Sequence, residues 1–359
     1  MLGRFYYFLS DFKFYLVFTS AIVFASGLVL YILHRTKVSS FKKNIFLGVV
    51  SLISSLSLAF FSGEAYFRYI YDQSDGLGFL KVNQKWHHRH VQLNGDFRRD
   101  KEFVVAKEPG EIRIGVIGDS IGFGYGIKNP QDRFSDKLET LLINNQVDAT
   151  IYNLASSGWG TNEQTQDLLA KEYLNFDIVI WQYFLNDIET GDTNRGMTVV
   201  ANNKTLFTPS GLTKKIIDHS YLADFLFWRL SPKHSQTFKQ IAETYLSQYN
   251  DQELYQAHKA DIIKFVKTLN RKQIKTIAII FPIIGQPEKK SQAEHFSREI
   301  EAVFDQAGAT SVINLAPILT IYPDNQLVVN RFDNHPNETI HSLAASLIYE
   351  SILKIIKAN

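Results

Sequence analysis

The stretch Ile112-Arg113-Ile114-Gly115-Val116-Ile117-Gly118-Asp119-Ser120-Ile121-Gly122-Phe123-Gly124-Tyr125-Gly126-Ile127 decides how the chain is to be read. Its first part is a short apolar run broken only by Arg113, the pattern of a strand buried on both faces of a parallel sheet. Gly118-Asp119-Ser120 ends the run, and glycines follow at 122, 124 and 126. A serine placed where a buried strand stops stands at the carboxyl edge of the sheet, where open α/β folds hold their ligands. Ser120 is therefore the candidate nucleophile, against the plainer reading of a strand followed by a glycine loop.

Toward the C-terminus the same alternation continues. Phe134, Leu138, Leu141 and Leu142 recur at helical spacing and predict a helix around 131–145. Thr150–Leu154 is a second strand, followed by the loop Ser156-Ser157-Gly158-Trp159-Gly160-Thr161-Asn162 and a helix over about 162–173. Asp177–Tyr183 is a third strand, running into Phe184-Leu185-Asn186-Asp187. Residues 190–250 break the pattern: Thr193–Gly211 reads as a long loop rich in Asn, Thr and Gly, and the aromatic segment Tyr221–Leu230 as a helix covering the sheet. A helix over 251–269, a strand Lys275–Phe281, a helix over 291–307, a strand Ser311–Leu315 and a final helix over 338–357 complete the series. Alternating strands and helices imply a parallel sheet.

Toward the N-terminus the chain changes character. Phe14–Leu33 and Ile45–Ser62 are uncharged runs of 20 and 18 residues, near the roughly 20 that a helix needs to cross hydrocarbon. Two such runs predict a transmembrane hairpin and not a cleaved signal peptide. Arg35, Lys37, Lys42 and Lys43 crowd the connector, and a Lys/Arg excess marks the cytoplasmic side. The expected placement is an inner (cytoplasmic) membrane of bacterial type, with everything after residue 63 extracytoplasmic. Tyr66, Tyr69 and Tyr71 suit an aromatic belt at the exit. Residues 64–110 form a juxtamembrane segment in which Trp86-His87-His88-Arg89-His90 reads as surface and not as a metal site, since no carboxylate partner is evident. Asn94-Gly95-Asp96 is a turn signal.

Net charge is +2 over 359 residues, so no basic field points to nucleic acid. Cysteine is absent, which removes disulfides and thiolate metal sites.

Parallel strands bring the loops after Ile117, Leu154 and Tyr183 to one edge, together with Asp333-Asn334-His335-Pro336-Asn337 ahead of the last helix. Acyl transfer needs such a set. His335 can accept the proton of Ser120, and Asp333 can hold the imidazole in one tautomer and stabilise its cation. The backbone N–H groups of Ser120 and Gly158 and the Asn186 amide are candidate oxyanion donors. His341 reads as an ordinary helix residue. Each block alone has a structural reading, as a cap or a turn.

The ordered blocks Gly118-Asp119-Ser120, Gly158, Asn186-Asp187 and Asp333-Asn334-His335 resemble those of the SGNH (GDSL) hydrolase superfamily. The resemblance covers about Ile112 to the C-terminus. It implies a flavodoxin-like three-layer α/β/α domain over 111–359, with a five-stranded parallel sheet in the order 2-1-3-4-5 and an insertion at about 190–250; the two transmembrane helices read from the apolar runs precede it (residues 1–63, spans about 14–33 and 45–62). It assigns the nucleophile to Ser120, the oxyanion hole to Ser120, Gly158 and Asn186, and the base pair to Asp333 and His335, with Asp119 organising the turn and Asp187 as a structural partner. The family usually has glycine where Phe184 stands, a change expected to narrow the cleft beside Asn186. The final block is also short, with only Asn334 between Asp333 and His335.

The expectation is a membrane-anchored serine esterase without metal or cofactor, acting on O-acetyl esters of cell-surface or exported glycans. An O-acyltransferase shares its first half-reaction. A lysophospholipase or thioesterase is favoured if Tyr221–Leu230 faces lipid. A non-catalytic glycan-binding or assembly subunit, with the spans docking a partner membrane protein, is the reading from another class.

Overall fold

A computed structural model describes residues 2–36, 39–189 and 195–358. The chain divides into two compact units, one comprising the residues up to Asp72 with Ser210–Phe227, the other Gln73–Pro209 with Trp228 to the C-terminus. The segment 73–110 thus belongs with the α/β unit, and the region 190–250 is shared between the two.

The α/β unit is built on five parallel strands: β1 (Ile112–Ile117), β2 (Ala149–Asn153), β3 (Ile178–Tyr183), β4 (Lys275–Ile280) and β5 (Ser311–Asn314). Their order is β2-β1-β3-β4-β5, the order expected. Because side chains alternate across a strand, each strand feeds two cores. Val179, Trp181, Tyr183, Ala278 and Ile280 face one apolar layer; Ile178, Ile180, Ile277 and Ile279 face the other. The first layer is closed by α6 (Thr161–Ala170), α11 (Gln252–Arg271) and α12 (Lys290–Ala307), the second by α5 (Phe134–Asn144) and α14 (Glu338–Ala358).

Arg113, the one charge in β1, is 1% exposed. Its guanidinium donates to both Glu111 carboxylate oxygens (3.2 and 2.9 Å) and to the carbonyls of Val105, Ala106 and Leu174. A buried charge persists when paired and fully hydrogen-bonded, and here the bonds fasten the segment before β1 to the sheet.

Two regions differ from the sequence reading. Lys81–His90 is a helix, α3, in which Val82, Asn83 and Trp86 are buried; only His87, His88 and Arg89 of the expected surface stretch are exposed. Most of the expected loop Thr193–Gly211 is also helical, as α7 (Arg195–Phe207) and the start of α8 (Gly211–His219); Thr193 and Asn194 lie outside the described residues. Asn203, a poor helix former by intrinsic preference, is buried in α7 and donates to Thr237 and Gln240 of α10 (Lys233–Tyr249). Tertiary partners outweigh local composition there. Asn94-Gly95-Asp96 is a turn, in which the Asn94 side chain accepts from the N–H groups of Asp96 and Arg98.

The other unit holds α1 (Leu2–Arg35) and α2 (Ser40–Ala65), the latter continued by a π-helical turn, Tyr66–Ile70. Among the described residues three helices are long and apolar enough to cross a membrane: Tyr15–Arg35, Ser40–Ile70 and Glu338–Lys357. The first two windows are not buried at all, whereas the third is partly buried. Ile340, Ala344, Ile348 and Ile352 of that third helix belong to the second core layer, which accounts for its apolar composition.

Replacing Arg113 by Leu should cost about 3–5 kcal/mol, because it leaves Glu111 charged and unpaired in a buried site. Denaturant unfolding followed by tryptophan fluorescence measures this, and Arg113→Lys should restore only part of the loss, having no planar fork.

Candidate active site

β1 stops at Ile117, and Ser120 opens the single helical turn α4 (Ser120–Phe123). The first N–H groups of a helix lack partners within it. Asp119, the residue before that turn, accepts from the Ile121 N–H at 2.9 Å. The side-chain oxygen of Gln182, on β3, accepts from the N–H groups of Asp119 (3.0 Å) and Gly122 (2.9 Å). Burial raises the pKa of Asp119, opposed by the Ile121 N–H, the Asn186 amide and the charge of His335.

The short antiparallel pair β6 (Val328–Asn330) and β7 (Asp333–Pro336) precedes α14 and carries the other two groups. His335 Nε2 lies 2.9 Å from Ser120 Oγ, and His335 Nδ1 lies 2.5 Å from Asp333 Oδ1. Asp333 is wholly buried. Its Oδ1 also accepts from the His335 N–H at 3.0 Å, and its Oδ2 accepts from the Ser74 hydroxyl. Burial works against the charged form of both groups, but the mutual attraction of Asp333 and His335 and the bonds between them outweigh it. The Asp333 pKa is therefore lowered and that of His335 raised. The Tyr125 ring packs 4.9 Å from the imidazole, and its hydroxyl donates to Asn83.

Gly158 follows β2 with φ +83°, and nothing lies within 4 Å of where a Cβ would stand. Asn186 sits in the 3-10 turn Leu185–Ile188 after β3. Asp187 locks that turn: its Oδ2 accepts from the Phe184 N–H at 3.1 Å and its Oδ1 from the Gln164 amide at 2.8 Å. Burial, then the nearby Asp119 charge, raises the Asp187 pKa well above the usual carboxylate range. Gln164 also donates to the Trp159 carbonyl and accepts from the Trp181 indole, so one buried amide ties the loop after β2 to the loop after β3. Gly160 makes that approach possible, since a Cβ there would lie 1.8 Å from the Glu189 carbonyl oxygen.

Ser120, Gly158, Asn186 and His335 border one cavity of about 200 Å³. Its other walls are largely apolar and include Ile121, Phe184, Phe238, Ile241 and Tyr245. Phe184 stands in the wall beside Asn186, its ring edge-on to Tyr245. Every residue singled out from the sequence as a reacting or donor group thus lies in this wall or, for Asp119, Asp187 and Asp333, directly behind it. His341 lies apart from it: its Nδ1 accepts from the Phe134 N–H, and burial, with the Arg133 and Lys137 charges, lowers its pKa to about 3. Among the described residues no cluster of three or more metal-ligating side chains is found. A serine, an imidazole and a carboxylate in one hydrogen-bonded line can activate a hydroxyl for attack on a carbonyl.

Sequence reading missed Ser74, Tyr125, Gln164 and Gln182. Tyr125 lies five residues after Ser120, but nothing in its spacing marks a ring packed against a histidine. Ser74 lay in a segment without periodicity.

Solved structures similar to this chain include esterases. One is the psychrotrophic esterase EstA from Pseudoalteromonas sp. inhibited by monoethylphosphonate (16% identity, TM-score 0.39, 68% of this chain and 98% of that one). A catalytic mutant of Axe2, an acetylxylan esterase from Geobacillus stearothermophilus, matches at 15% identity and TM-score 0.39, over 67% and 94%. AlinE4, an SGNH-hydrolase family esterase, matches at 16% and 0.33, over 61% and 84%. At scores this low the likenesses carry no weight for the chemistry. No family model and no curated protein matches the chain.

Gly160→Ala should cost about 1–3 kcal/mol or more, since backbone and not a flexible side chain blocks the new methyl. Gly158→Ala meets open space and should cost only the left-handed strain, about 1–2 kcal/mol. Comparing the two melting temperatures tests whether the loop contact is as close as described.

Proposed function

We propose that this chain is a serine ester hydrolase of the SGNH (GDSL) type, working through an acyl-serine and held to a membrane by its two N-terminal helices. The observation that carries the reading is the continuous line from Ser120 Oγ through His335 to Asp333, at 2.9 and 2.5 Å. Ser120 Oγ attacks the ester carbonyl while His335 Nε2 takes its proton. Asp333, held by Ser74, stabilises the imidazolium without itself being protonated. The tetrahedral oxyanion is received by the N–H groups of Ser120 and Gly158 and by the Asn186 amide. His335 then returns the proton to the departing alkoxide, and water, activated by the same imidazole, releases the acid.

The resemblance in the sequence blocks extends the proposal to O-acetyl esters of cell-surface or exported glycans. The two helices, exposed and apolar along their windows, support anchoring. The basic connector, with Arg35, Lys37, Lys42 and Lys43, supports an extracytoplasmic catalytic unit on an inner membrane. Release of acetate from acetylated polysaccharide by the purified chain checks the substrate. Protease accessibility of the C-terminal region in intact spheroplasts checks the side.

A serine-directed fluorophosphonate should label the protein, and Ser120→Ala should abolish the label. Well-folded protein that takes up none would favour a non-catalytic binding module. His335 must be neutral to act as base, and its pKa is raised above the ordinary 6.5. The rate should therefore fall with acid along a limb lying above that value. Asp333→Asn should move the limb to lower pH and depress its plateau, as kcat/KM against pH would record. Asn186→Ala should lower kcat by roughly 10²–10³ with little change in KM, because its amide is needed mainly once charge has developed.

A further inference from the structure

Within the membrane-hairpin unit, Glu64 is wholly buried although it lies near the end of the second apolar helix. Its Oε2 accepts from the Ser220 hydroxyl (2.7 Å) and the Leu222 N–H (2.9 Å), and its Oε1 from the Tyr221 N–H (3.0 Å). It therefore caps α9 (Tyr221–Leu230) from another element. Arg68 pairs with Glu64 at 2.8 Å and donates to the His219 carbonyl, the same oxygen that receives the Tyr15 hydroxyl. The Arg68 guanidinium lies over the rings of Tyr15 and Tyr221, and Phe225 stacks on Phe67 at 4.1 Å.

These contacts fix a level. Tyr15 begins the first apolar window, and Glu64 and Arg68 lie in the last turns of the second. The Ser40–Ile70 stretch of 31 residues is about 46 Å long, more than the roughly 30 Å of hydrocarbon. With Lys42 and Lys43 at its far end, some 20 residues of hydrocarbon crossing place Glu64 where the helix leaves the bilayer. The end of α8 and the start of α9 are bonded to both spans at that height.

α8 is amphipathic. Leu212 and Ile216, one helical turn apart, are 74% and 50% exposed, whereas Ile217 is buried. Lys214 and Lys215 are also exposed, Lys214 in an ion pair with Asp218 one turn further on. We propose that α8 lies in the headgroup region of the phospholipid bilayer, Leu212 and Ile216 immersed and Lys215 directed at phosphates, clamped there by Glu64 and Arg68. Such a helix buries its apolar face in the acyl boundary while long basic side chains reach back to the polar layer. The inference rests on the hairpin being a membrane anchor. It assigns part of the insertion to the membrane module, although the chain enters it from α7 and leaves it into α10.

The absence of cysteine makes single-probe variants simple. Full-length Ile216→Cys, Leu52→Cys and Lys272→Cys, each labelled with an environment-sensitive fluorophore, are reconstituted into phosphatidylcholine–phosphatidylglycerol vesicles with and without doxyl-labelled lipid. The probes at 216 and 52 should lose about half of their emission or more to the lipid quencher and resist aqueous iodide, and the probe at 272 should do the reverse. A probe at 216 that behaves like the one at 272, with 52 still quenched by lipid, rejects the surface helix and leaves the anchor standing. Shielding of 216 from both quenchers means that protein covers it and equally rejects the proposal. Lipid quenching at neither 216 nor 52 removes the anchor and the inference together, while fluorophosphonate labelling reports independently that the catalytic unit is folded.

Discussion

The arrangement of the site depends on one buried amide oxygen. Gln182 is the last residue but one of β3, beside β1, and its side-chain oxygen takes the N–H groups of Asp119 and Gly122 at 3.0 and 2.9 Å. Those donors flank Ser120 at the opening of a helical turn, where a short segment would otherwise leave them without partners. Satisfying them from the sheet, and not from water, fixes where the serine hydroxyl stands relative to the strands. Gln164 does for the second and third loops what Gln182 does for the first. The loops of the cavity wall are bonded to buried amides carried by the sheet and its covering helices.

Electrostatics then sort the three carboxylates behind that wall. Asp333 has an imidazole, a serine hydroxyl and a backbone N–H, and its charged form is favoured despite full burial. Asp119 and Asp187 are equally buried, and for both burial dominates and raises the pKa. Neighbouring carboxylates thus meet different environments: Asp333 is bonded to the His335 imidazole, while the other two shape turns through the bonds they accept.

Residues 195–249 have two physical characters in one stretch of chain. α10 contributes Phe238, Ile241 and Tyr245 to the cavity wall, so its apolar face is spent on the site. α8 keeps Leu212 and Ile216 outward and is fastened by its C-terminal carbonyl to Arg68 and Tyr15 of the hairpin. A buried carboxylate capping a helix is a specific device, because an unpaired charge at that depth would be costly. It explains why Glu64 interrupts an otherwise apolar segment.

Much of this was legible in the residues alone. The apolar runs at 112–117 and 178–183 identify buried strands because parallel sheets are covered on both faces, and the order of the blocks around Ser120, Gly158, Asn186 and His335 points to one edge of that sheet. The helices at 81–90 and 195–207 were not legible, since their stability comes from partners distant in sequence, such as Thr237 and Gln240 for Asn203. The same holds for Ser74, which meets Asp333 across 259 positions, and for the packing of Tyr125 on His335. Local periodicity and turn chemistry therefore determined the strands, the two apolar spans and the blocks that hold the candidate catalytic groups. Only the folded chain decided which distant hydroxyls and amides complete them, because buried polar groups find their partners through space and not along the chain.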